Sequence, residues 1–142
     1  MRSALLVLIL SVLALPAVAQ ERSIEMREAL VHLARVLGES HALRQTCEGS
    51  EDQFWRSRMN RLMETEQAEP VLEREMKDAF NAGFAGARRL YSDCGEPTRR
   101  AERLAAVRGR ELALGLSQSK YRVTTVIPPE GAQDVTAEPA PR

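Results

Sequence analysis

The chain has 142 residues, 44% of them hydrophobic and 28% charged, and its 20 basic residues are matched by 20 acidic ones. A near-neutral balance argues against nucleic acid as the main partner, because phosphate binding needs a concentrated positive field. Arginine outnumbers lysine 18 to 2, which favours bidentate carboxylate pairs over point-charge contacts.

Residues 1–19 read as an export signal. Arg2 supplies a positive start, Ala4 to Leu15 is apolar apart from Ser11, and Ala17-Val18-Ala19 is an A-x-A cleavage site. The mature chain is therefore expected to begin at Gln20. The apolar run falls short of the ~20 residues a spanning helix needs, so no transmembrane anchor is expected after cleavage. No Cys for lipid attachment follows the run, and no twin arginine precedes it. The address is general secretion, read here as periplasmic, and what remains suits one small domain of roughly 100 residues with a tail.

Residues 20–119 form the expected helical domain, rich in Ala, Leu, Glu and Arg without β-branched runs. A first helix is predicted from Ile24 to Cys47, its stripe formed by Met26, Leu30, Leu33, Leu37, His41, Arg44 and Cys47. Gly38 lies off that stripe and is expected only to cost helix propensity, up to ~1 kcal/mol. Gly49 supplies a stop. Ser50 with Gln53 has the spacing of a capping box, which would start a second helix at once, with Glu51 and Asp52 in its first turn. Trp55, Met59, Leu62 and Met63 are its expected buried stripe.

Pro70 opens a third helix. Its apolar line, Leu72, Met76, Ala79, Phe80, Gly83, Ala87 and Leu90, leads on to Cys94, and Gly95 is its expected end. The small residues Ala79, Gly83 and Ala87 invite a neighbouring helix or a bulky side chain such as Trp55. A fourth helix is predicted from about Pro97 to Gln118. Ala101, Leu104, Ala105, Leu112 and Leu116 mark one face, and Val107 and Leu114 a second one. Residues 120–142 read as a flexible, disordered Pro-rich tail, with Tyr121 to Ile127 strand-like in composition. The fold class is all-α: a small four-helix bundle stapled by one disulfide.

That staple is Cys47–Cys94, the only two cysteines of a chain addressed to an oxidising compartment. With the second helix running back between them, the first and third helices point the same way, and both cysteines meet at one pole. Metal is not expected, because His41 and Cys47 lack the short paired spacing of structural zinc sites and His32 sits off the stripe of His41. The chain holds no Cys-x-x-Cys-His for haem and no nucleophile elbow, and no cofactor is expected.

The candidate binding or bracing residues crowd the corner between the first two helices. His41 is expected as a core histidine, and Arg44 as the partner of Asp52 or Glu51, since a polar group on an apolar stripe needs one. The rival reading makes His41, Arg44 and Arg56 a small anion patch. Trp55 fills the space beneath the corner. In the third helix Asn81 and Phe84 lie off the apolar line and are expected to mark a contact surface.

The pattern Leu37-Gly38-x-x-His41-x-Leu43-Arg44-x-x-Cys47-x-Gly49, then Asp52-Gln53-x-Trp55-Arg56-x-x-Met59, then Phe80-Asn81-x-Gly83-Phe84 and Cys94 resembles a family of small exported alphaproteobacterial proteins grouped as a domain of unknown function. The resemblance covers about residues 26–116. It implies export and a periplasmic role, and it supplies no catalytic residue. The leading functional expectation is a non-enzymatic interaction or scaffold module, an accessory of cell-envelope growth or division whose partner is another periplasmic or envelope protein. A cell-wall ligand binder or enzyme using His41, Arg44, Asp52 and Arg56 is the second. A periplasmic chaperone or inhibitor using the second face of the fourth helix is the third.

Overall fold

The first described helix starts where its sequence offers a cap. Ser23 is extended and its hydroxyl accepts the Met26 N–H at 3.2 Å, satisfying a donor that a helix start leaves orphaned. This helix, α1, spans Ile24–Glu48. Gly49 ends it at φ 100°, a conformation that favours glycine. Three more helices follow: α2 (Phe54–Glu66), α3 (Pro70–Leu90) and α4 (Glu96–Thr125). The computed structural model describes residues 22–125, with side chains to residue 119. Residues 1–21, which include the expected export signal, and residues 126–142 lie outside the described residues.

The bundle is organised around α1. The expected stripe is largely inside, with Leu30, Leu33, Leu37 and His41 buried, but so are Ala34, Val36, Gly38, Ser40, Ala42 and Leu43. A helix buried on nearly every side is central, and α2, α3 and α4 all pack on it. Its two ends show the directions. Near the start, Arg27 pairs with Glu69 and Glu75 of the α3 end of the molecule. At the finish, Cys47 is joined to Cys94. Therefore α1 and α3 are parallel, as the helix order predicts, while α2 and α4 run antiparallel to α1.

Gly38 is not a tolerated weakness. A Cβ built on it would stand 1.9 Å from the Phe80 carbonyl oxygen, and one built on Gly83 would stand 2.1 Å from the Arg35 carbonyl oxygen. The two helices cross backbone to backbone, which only glycine permits on both sides. The small-residue strip of α3 is thus occupied by α1, and Trp55 lies elsewhere, on the far side of α1 from α3.

Three boundaries differ from those expected. The Ser50 capping box does not form: α2 starts at Phe54, whose N–H is taken by Asp52 Oδ1 at 3.1 Å. Gln45 of α1 holds the intervening turn, donating to the carbonyls of Ser50 and Asp52 at 2.7 and 3.0 Å. Second, α3 stops at Leu90, and the chain turns extended at Tyr91. Packed helix axes stand ~8–10 Å apart, whereas the Cα atoms of Cys47 and Cys94 are 4.8 Å apart, so Cys94 reaches its partner from a loop. Third, α4 begins at Glu96 and its backbone stays helical through Thr125, past the expected start of the tail and into the segment with strand-like composition. Leu104 also changes face: it is 51% exposed and joins Val107 and Leu114 on the outer side.

Candidate functional site

At the α1–α2 corner the sequence-predicted residues do come together. Arg44 Nε donates to Asp52 Oδ2 at 2.9 Å, and Arg44 Nη1 stands 3.9 Å from Glu102 of α4. The Arg44 guanidinium also lies 4.8 Å from the Phe54 ring centroid. Burial pushes the Asp52 carboxyl up, yet the Phe54 N–H, the Arg44 bond and the charges of Arg44 and His41 outweigh it and leave the pKa lowered. The corner arginine is therefore committed to two carboxylates and a ring, which is the arrangement of a brace.

His41 is 1% exposed and lies between the rings of Phe80 and Phe84, at 5.8 and 5.5 Å. Burial lowers its pKa from 6.5, the Arg56 charge acts in the same direction, and Asp52 opposes them. Its Nδ1 is buried without a hydrogen-bond partner. A neutral imidazole enclosed by two phenylalanines has no room for a substrate. Phe84 is thus half-buried against His41 and Tyr91's cluster, not the exposed contact expected of it. Asn81 faces solvent. Arg56 is exposed, with its guanidinium 5.5 Å over the Phe80 ring. Among the described residues no three of His, Cys, Asp and Glu stand together as a metal-binding group.

The open site is on the other side of α1. Because α2 and α4 each pack on α1, a strip of α1 between them is left as the floor of a cleft. Its volume is about 430 Å³, within the range of small-molecule sites. Leu33, Val36, Leu37 and Ser40 form the floor; Trp55, Leu62 and Thr65 of α2 form one wall; Ala105, Ala106, Gly109 and Ala113 of α4 form the other. The small α4 residues are what leave the space. The ionisable residues of the lining are Arg58, Arg61 and Arg110, with no carboxylate among them.

Arg58 is held in place by stacking. Its guanidinium lies 3.5 Å from the Phe54 centroid and 5.3 Å from that of Trp55, and the two rings meet edge to face at 5.1 Å. Such cation–π contacts orient the fork, whose Nη1 also donates to the Phe54 carbonyl at 3.4 Å. Chemically the cleft surface is almost wholly apolar, and the exposed Arg58, Arg61 and Arg110 bring positive charge to its edge. Its hydroxyls are those of Ser40 and Thr65, and no histidine or carboxylate stands in the lining beside them.

Of this site, only Trp55 was recognisable from sequence. Leu62 reads in the sequence as part of the buried stripe of α2, whereas Arg58, Arg61 and Thr65 read as an ordinary solvated edge. Arg110 and the α4 wall lie about fifty residues downstream in sequence, and only the fold brings them opposite.

The Cys47–Cys94 disulfide fits a protein of an oxidising compartment. Among the described residues no helix is long and apolar enough to cross a membrane. No curated protein and no solved structure matched the chain. The match to the family model described as a protein of unknown function, DUF2385, runs over residues 26–121, a stretch that includes Cys47, Trp55 and Cys94, and the chain belongs to that family.

Proposed function

We propose that this protein is a non-enzymatic interaction module of the periplasm, an accessory of the cell envelope that works by binding through the α1–α2–α4 cleft. The observation that carries this reading is the apolar cleft whose only charges are Arg58, Arg61 and Arg110. The disulfide supports the compartment, as does the export-signal pattern of residues 1–19. The partner that a scaffold role calls for is another envelope protein. The surface open to it is the outer stripe of α4, where Leu104, Val107 and Leu114 are 51%, 53% and 49% exposed.

The cell-wall ligand reading at the corner is less well supported, since Arg44 is engaged by Asp52 and Glu102 and His41 is enclosed. Complementation of a deletion strain separates the two. Ala113→Phe, which fills the cleft, is expected to be folded by circular dichroism, exported and unable to restore the wild-type phenotype, while Arg56→Ala restores it. Full activity of Ala113→Phe together with loss in Arg56→Ala would move the function to the corner.

A further inference from the structure

Resting on the reading of the cleft as the binding face, we propose that its occupant is a single-chain amphiphile with an anionic head, a monomeric fatty-acid-like molecule. The hydrocarbon chain lies along Leu33, Val36 and Leu37, and the head meets Arg58, Arg61 and Arg110.

Charge and shape both select this class. A purely apolar ligand would leave three arginines with nothing to neutralise, and the lining holds no carboxylate that could do so. None of the nine described ion pairs involves an arginine of the cleft, so an incoming anion displaces no carboxylate from them. A free inorganic anion would use the forks but not the aliphatic floor. An anionic head on one alkyl chain uses both, and guanidinium forks match carboxylate or phosphate oxygens bidentately.

The volume of about 430 Å³ is of small-ligand size and is concave, which suits one chain better than a bilayer surface or a partner helix. Arg58 needs little ordering to bind, because Phe54 and Trp55 already hold its guanidinium.

Trp55 is the only tryptophan of the chain and lines the cleft, so its fluorescence reports occupancy directly. The mature, disulfide-bonded protein is titrated with dodecanoate below its micellar concentration, with calorimetry for stoichiometry. The expected result is a saturable 1:1 change. Dodecan-1-ol, the same chain without the charge, should bind at least about tenfold more weakly, since it lacks the charged hydrogen-bond acceptor that the guanidinium groups would meet.

Arg61→Glu with Arg110→Glu should weaken dodecanoate by at least about tenfold on the same grounds, and these residues are exposed, so folding is not at stake. Ala113→Phe should abolish binding. No saturable response, equal affinity for the alcohol, or insensitivity to the arginine pair would overturn the proposal. A Trp55 response to anionic phospholipid vesicles but not to dodecanoate would overturn it too. If dodecanoate fails while Ala113→Phe still abolishes complementation, the ligand class is wrong and the cleft reading stands; if Ala113→Phe complements fully, the cleft reading itself falls.

Discussion

His41 shows how a residue that looks catalytic in sequence becomes structural in the fold. It is buried between Phe80 and Phe84, and its pKa is lowered from 6.5 first by that burial. Between its folded pKa and 6.5 the unfolded chain binds a proton that the folded chain refuses. The contribution of His41 to stability is therefore complete above pH 6.5 and is lost as pH falls below it. The denaturation midpoint should drop between pH 7 and 5, and His41→Leu should flatten that slope; an unchanged slope would show that another group carries it. Asp52 acts lower on the scale, since its stabilisation, held by Arg44, is lost only below its ordinary value of 3.8. The Arg44–Asp52 pair was legible because the two lie close in sequence across one turn. Gln45 was not, because a glutamine amide gives no sign of which carbonyls it will reach.

At the scale of elements, composition and punctuation were enough to count the helices, and Pro70 and Gly49 mark real boundaries. The misreadings occurred where tertiary contacts outweigh local preference. Asp52 is drawn to Arg44 and caps α2 from outside, so the Ser50 box is not used. Cys94 is drawn to Cys47, so α3 ends early. The glycines divide by environment in the same way. Gly38→Ala places a methyl against the Phe80 carbonyl and should destabilise by roughly 2–3 kcal/mol despite the better helix propensity of alanine. Gly86 has nothing within 4 Å of its Cβ position, and Gly86→Ala should stabilise by about 0.5–1 kcal/mol. Urea melts of the two variants check the sign; stabilisation by Gly38→Ala would mean the helices do not cross so closely.

For the whole molecule, α1 as the central element explains both the core and the cleft. Leu30, Leu33, Met59, Leu72, Met76, Phe80 and Leu116 come from all four helices and meet around it. The same arrangement leaves α2 and α4 on either side of an uncovered strip. That strip could not be read from a single sequence, because Leu33, Val36 and Leu37 look like any core stripe until the neighbours are placed. The disulfide spans a sequence separation of 47 residues, and closing a loop of that length stabilises by about 4 kcal/mol on the chain-entropy model. Cys94 is exposed to reductant. Urea melts with and without dithiothreitol should differ by a large share of that figure, and coincident curves would show that the reduced unfolded chain is already as constrained.

The position of the bond has a further effect on how the molecule responds to cutting. Cys47–Cys94 closes a covalent ring that contains α2, α3 and the connection between them, where Gln67 is exposed with a left-handed backbone at φ 45°. A protease that nicks this connection opens the ring but frees no fragment. The α1–α2 piece and the α3–α4 piece remain one molecule, tied by the disulfide at the pole opposite the cut, while Arg22 and Arg27 still reach Glu69 beside the cut. Such a protein can be scarred at an exposed turn and still persist as a two-chain species until it meets a reductant.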